Sequence, residues 1–233
     1  MYHPFSVSET LKTSWDIFKR NFATIIVFMV LSLLAIIFCA FWVYYFWDES
    51  FIGVVCAFLL LVAITYTFLA FIKLLFQLMD NAYYEIRFKD VIPNLKMVGS
   101  YLILLLLVST VMVFLSNSIK NLPDGVTKNI LGIAVGYLFQ FFTLFYFPLC
   151  NCFIVDDQSG PFESVAQSFG LIKGNIIKYF TLFIIIEVLI FIGSLTFVGI
   201  IFVIPFVNII LAVTYRKLIY SHLDVDDDVA ETN

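Results

Sequence analysis

The sequence predicts an all-α polytopic membrane protein with six transmembrane helices, arranged as three repeats of an amphipathic helix plus a helical hairpin. Three observations predict it. First, the 233 residues are 62% hydrophobic and 13% charged, with mean hydropathy +1.03. Soluble domains run nearer half apolar and a quarter charged, so this chain carries more apolar surface than its own core can hide, and lipid must act as solvent. Second, runs long enough to cross the ~30 Å hydrocarbon layer at ~1.5 Å per residue recur along the chain. Third, a thirteen-residue stretch occurs twice. Glu9-Thr-Leu-Lys-Thr-Ser-Trp-Asp-Ile-Phe-Lys-Arg-Asn21 and Glu163-Ser-Val-Ala-Gln-Ser-Phe-Gly-Leu-Ile-Lys-Gly-Asn175 share glutamate, hydroxyl, aliphatic, serine, aromatic, lysine and asparagine at matched places.

The first copy opens the chain. Ser6 with Glu9 three residues on fits a capping box, each side chain satisfying an orphan N–H. Leu11, Trp15, Phe18 and Phe22 make a narrow apolar stripe, and Ser14 at its edge leaves room for a second helix to approach. Residues 22–45 form the first span, with Trp42, Tyr44, Tyr45 and Trp47 as an interfacial belt at its far end. Asp48-Glu-Ser50 is a polar turn, and a second span covers about 52–78, with Lys73 placed to snorkel toward headgroups.

A fainter copy follows. Phe88, Val91, Leu95 and Leu102 keep the stripe, with Asp90 as the expected N-cap and Pro93 in the first turn. Residues 98–115 are the third span, 116–129 a loop around Pro123-Asp-Gly125, and 130–154 the fourth span. Pro161 suits the first position of the next helix, with Glu163 at its positive end. There Val165, Phe169, Ile172 and Ile176 rebuild the stripe. The apolar run 176–213 holds two spans that reverse between Gly193 and Gly199, and Pro205 is expected to kink the sixth. The three repeats cover about 6–78, 88–154 and 160–220 of a single six-helix membrane domain, 1–223. The acidic segment 224–233 is expected to be a disordered, solvated tail.

Lys and Arg placement sets the orientation. Lys12, Lys19, Arg20, Arg87, Lys89, Lys96, Lys173, Lys178, Arg216 and Lys217 fall on one side, and only Lys120 and Lys128 on the other. Both termini are therefore expected in the cytoplasm, along with all three amphipathic segments. Units that each start on the same side are parallel repeats, unlike the inverted repeats of many transporters. No cleavable leader is visible: the first twenty residues are mixed polar, and the apolar run that follows is too long for a signal core.

Candidate chemistry is sparse. Glu187 falls near a membrane midplane, where a carboxylate costs ~2.5–3.5 kcal/mol on insertion scales and needs a partner, a proton or water. Gln140 and Asn208 lie at similar depth, so the three could form a polar binding cluster, or each could simply bond helix to helix. Lys19, Arg20, Lys173 and Lys178 are candidates for holding anionic headgroups. Ser14, Ser164 and Ser168 have no His or Asp partner at useful spacing and are expected to pack or bond the backbone rather than act as nucleophiles. Asp156-Asp157 lacks EF-hand spacing. His3 and His222 stand at opposite chain ends and Cys150 and Cys152 two apart, so no metal site or cofactor is expected. Cys39, Cys56, Cys150 and Cys152 read as small packing residues. No basic block suggests nucleic acid.

Glu163-Ser-x-x-x-Ser-Phe, then Lys173-Gly-Asn175, then a membrane hairpin containing Pro205 and closing with Tyr215-Arg216 resembles a group of six-helix bacterial membrane proteins. The group includes the YciC-like family and the membrane domain attached to some glycerophosphodiester phosphodiesterases. The resemblance implies a bacterial inner-membrane protein with no established activity and supplies no catalytic residues. No phosphodiesterase barrel is attached here, so that reaction is not implied. The expected role is non-enzymatic: organising membrane lipid, or docking a protein partner of an envelope or transport complex, through the amphipathic helices. The alternative is a small transporter or permease subunit built on Gln140, Glu187 and Asn208.

Overall fold

The computed structural model describes residues 5–46, 51–80 and 88–230, and of residues 88, 197, 198 and 222–230 the backbone alone. Among the described residues ten helices follow one another: α1 (Val7–Arg20), α2 (Phe22–Tyr45), α3 (Phe51–Asp80), α4 (Phe88–Val91), α5 (Leu95–Lys120), α6 (Val126–Phe145), α7 (Phe147–Asp156), α8 (Pro161–Ile172), α9 (Ile176–Ser194) and α10 (Phe197–Ala230). No strand occurs among the described residues. Among the described residues six helical stretches are long and apolar enough to cross a membrane: Phe22–Tyr45, Phe51–Asp80, Lys89–Lys120, Val126–Asp156, Ile176–Ser194 and Gly199–Ser221. The polar turn expected at 48–50, Trp47 and Arg87 lie outside the described residues.

By contacts the expected single domain divides into two compact units, Met1–Asn94 with Gly170–Asn233, and Leu95–Phe169. In the first unit, α2 packs on α3 and α9 on α10, and α1 lies against α10. The aromatic stripe makes that seat. Trp15 and Phe18 each hold their rings 5.6 Å from Phe206, and Phe22 stacks on Phe202 at 5.8 Å. Such pairs contribute ~0.5–1.5 kcal/mol each beyond the area they bury. Thr10, Ser14, Ile17 and Phe18 are buried, so the small residues beside the stripe do admit a close neighbour.

The α9–α10 reversal falls where expected, at residues 195–196. Its glycines are required by contact. A Cβ on Gly193 would stand 2.7 Å from Val203 Cγ2, and one on Gly199 would stand 2.6 Å from the Gly193 carbonyl oxygen. The Gly199 N–H donates to Thr196 Oγ1 at 3.0 Å, capping α10. Pro205 lies inside α10, where it donates no hydrogen bond to the turn before it. The helical backbone continues through the acidic residues 224–228 to Ala230, whereas composition predicts a disordered tail. Extending an existing helix adds one hydrogen bond per residue fixed, without a new nucleus.

In the second unit, α5 and α6 form a hairpin and α7 continues α6. The loop is shorter than the polar composition of 116–129 predicts, because α5 runs to Lys120 and α6 starts at Val126. The fourth span is broken at Tyr146, with Pro148 at the second position of α7. Proline is tolerated in a first helical turn and costly in an interior, so the helix restarts there. The second half of α8 meets this span: the Phe169 ring lies 4.1 Å from that of Tyr146, and Cys150 Sγ lies 3.2 Å from Ser168 Oγ.

Two expected helix starts differ. Ser6 is the N-cap of α1 but makes no side-chain cap bond. Its hydroxyl lies 3.2 Å from that of Ser8, and Glu9 reaches Lys217 Nζ at 3.3 Å instead. In the second copy the reach-back half of the box does form, Gly160 N–H donating to Glu163 Oε2 at 3.2 Å. Asp90 is inside α4 rather than an N-cap, and Pro93 lies between α4 and α5. The residue before a proline avoids helical backbone, so α4 stops at Val91. Lys73 Nζ donates to the Ile92 carbonyl at 2.8 Å, satisfying an oxygen left over by this break. Val91, Met97 and Val98 are buried here, while Leu95 is exposed.

Candidate functional site

Two short amphipathic helices are seated alike. In α1 the buried residues are Thr10, Ser14, Ile17 and Phe18; at the matched places around α8 they are Ser164, Ser168, Leu171 and Ile172. The hydroxyls turn back on their own helix. Ser14 donates to the Thr10 carbonyl at 2.7 Å, Ser164 to Pro161 at 2.9 Å and Ser168 to Val165 at 2.8 Å. That leaves no free nucleophile among them and gives them the role of small, satisfied packing residues. Gly174, just past α8, has φ +93°, a conformation that favours glycine.

A polar concavity lies in the first unit, a cleft of about 590 Å³. One wall is Thr13, Asp16, Ile17 and Arg20 of α1, the other Val213, Arg216, Lys217 and Tyr220 of α10, and Met79 and Asp80 at the end of α3 close it. Both walls are spaced i, i+3, i+4, i+7, one face of a helix each. Arg216 Nη2 pairs with Asp80 Oδ2 at 2.9 Å, with its guanidinium 4.9 Å over the Phe76 ring. Lys217 pairs with Glu9. Arg20 makes no ion pair or hydrogen bond through its side chain among the described residues, and neither does Asp16. Among the described residues the cleft therefore holds three cations, Arg20, Arg216 and Lys217, against two carboxylates, Asp16 and Asp80, and of the cations Arg20 is unpaired.

The other expected site residues are scattered. Lys19 lies 5.4 Å over the Trp15 ring. Lys173 and Lys178 are exposed, near the end of α8 and in the first turn of α9. Glu187 and Asn208 stand on the packed helices α9 and α10, but Asn208 Nδ2 donates to its own Ile204 carbonyl at 2.9 Å. Glu187 Oε1 is buried with no hydrogen-bond partner among the described residues. Gln140 is exposed on α6, in the other unit. Within the first unit Glu187 and Asn208 make no hydrogen bond to one another among the described residues. Among the described residues no group of three or more His, Cys, Asp or Glu could hold a metal ion, and Cys39, Cys56, Cys150 and Cys152 form no disulfide, Cys150 and Cys152 being buried.

The second unit has a groove of about 480 Å³ between α5 and α6, closed by Pro161, Phe162 and Val165, with an almost wholly apolar lining. Asp80, Arg216 and Lys217 were not foreseen as one site with Arg20. The available signal was the repeat of one-face spacing at both ends of the chain, each carrying an arginine. Compared with family models, with curated proteins and with solved structures, the chain matches none.

Proposed function

We propose that this is a non-enzymatic, multi-pass protein of a bacterial cytoplasmic membrane, with both termini in the cytoplasm. Its amphipathic helices form a cytoplasmic collar that organises lipid or docks a protein partner of an envelope or transport complex. The observation that carries this reading is the matched seating of α1 and α8, which buries equivalent small and apolar residues and turns Lys12, Lys19 and Lys173 outward. The three-repeat organisation is supported by where each short helix rests. α1 lies on α10 of the last hairpin and α4 on α3 of the first, and α8 meets Tyr146 and Cys150 of the span before it. Each wedge thus sits on the hairpin that precedes it in the chain, and the first takes the last.

Crosslinking with mass spectrometry in native membranes tests the collar. The expected result is a reproducible protein or lipid captured through α1 or α8, lost with Lys19→Glu and retained with Glu187→Gln. The buried, unpartnered Glu187 Oε1 favours a second reading, a small transporter or permease subunit. That reading takes over if Glu187→Gln abolishes function while Lys19→Glu does not.

A further inference from the structure

The cleft between α1, α10 and the end of α3 goes beyond a general basic surface. We infer that it binds a phosphate group, carried by an anionic lipid headgroup or by a soluble phosphate, with Arg20 as the primary donor and Arg216 and Lys217 supporting it. The inference deepens the lipid arm of the collar reading and rests on it for the membrane side assigned to the cleft.

Four observations converge. The cleft volume of about 590 Å³ falls within the ~300–1,000 Å³ of small-molecule sites. Its position is interfacial: Arg20 directly precedes one span, Asp80 ends the next, and Arg216 falls in the last turns of Gly199–Ser221. Its lining is graded, with Ile17, Met79 and Val213 as the apolar part beside the charges, matching a headgroup that continues into acyl esters. Finally, the charges are unequally used. Arg216 and Lys217 are oriented by Asp80 and Glu9, whereas the Arg20 fork has no partner among the described residues, and planar forked donors match phosphate oxygens.

Comparison of the two sequence copies sharpens the point. The matched residues that pack are kept as hydroxyl or apolar. The cleft-facing Thr13, Asp16 and Arg20 are matched in the second copy by Gln167, Gly170 and Gly174. The charged face is therefore present in the first of these two copies and missing from the second, and is not a by-product of seating the helix.

The test uses the purified full chain in neutral detergent, read by native mass spectrometry for retained phosphatidylglycerol and by thermal shift for phosphatidylglycerol and, separately, inorganic phosphate. Arg20→Ala is expected to weaken binding about five- to tenfold, with Arg20→Lys recovering part of it and Lys120→Gln matching the parent. Arg20 is exposed, so melting without ligand should not change, which separates lost binding from lost folding. Arg20-dependent retention of the lipid alone identifies a headgroup site. An equal response to inorganic phosphate identifies a soluble source. Parent-like binding of both ligands by Arg20→Ala, or no binding of either by the parent, overturns the site. That failure leaves the Lys19→Glu crosslinking result standing as a separate check on the collar.

Discussion

Ser14 and Ser168 show how a hydroxyl is accommodated inside a membrane protein. Each is fully buried and each donates to a carbonyl of its own helix. Their neighbours therefore need their size and not their polarity. Ser14→Ala should change stability by less than ~1 kcal/mol, because donor and local acceptor leave together. Ser14→Leu should cost ~1–3 kcal/mol by overpacking the α1 seat. Thermal unfolding in one detergent measures both, and equal losses for the two variants would make the hydroxyl itself essential. Ser168→Ala should cost slightly more than Ser14→Ala, since Ser168 also faces Cys150 Sγ. At the cleft, the Asp80 side chain is 52% exposed and that of Arg216 24%. Asp80→Asn should therefore cost no more than ~1 kcal/mol, as exposed ion pairs do, while releasing the guanidinium that the carboxylate orients.

At the scale of the element, the α9–α10 hairpin rests on close backbone approach. Gly193→Ala sets a methyl against the stiff, branched side chain of Val203. It should lower the melting temperature, and Val203→Ala in the same chain should restore part of the loss, giving a non-additive cycle. Gly199→Ala meets a carbonyl oxygen instead, so trimming Val203 should not help it. This reversal was legible in the sequence because two glycines, with Ser194 and Thr196 between them, interrupt an apolar run too long for one span. The break at Pro148 was not, since the run from 130 to 154 reads as one span and proline near a helix start leaves the apolar pattern intact. The capping box at Ser6 failed for a different reason. Local spacing describes what Glu9 can reach within its helix, and Lys217 is brought to it by packing across the chain.

At the scale of the whole molecule, the sequence specified six spans because hydrocarbon solvent imposes length and apolarity directly on each of them. It did not specify the cleft, whose walls come from residues 13–20, 79–80 and 213–220, brought together only by tertiary packing. It likewise assigned Gln140, Glu187 and Asn208 a common depth, and depth says nothing about which way a side chain faces. The orientation is tested by single thiols introduced as Asp16→Cys, Asn94→Cys and Gly170→Cys in a chain cleared of Cys39, Cys56, Cys150 and Cys152. All three should react with an impermeant reagent only from the cytoplasmic side; labelling of any one solely from the opposite face removes the parallel-repeat arrangement.

The union of Met1–Asn94 with Gly170–Asn233 in one compact unit has a consequence for biosynthesis. The α1 surface that meets Phe206 cannot be covered when it leaves the ribosome, because its seat is encoded nearly 200 residues downstream. At ~5–20 residues per second that interval lasts on the order of ten to forty seconds. During that time the nascent segment must lie on the bilayer surface or in the grip of a chaperone. A message cut short before the last hairpin would release a protein with its first helix already made and nowhere to put it, a natural mark for quality-control proteolysis.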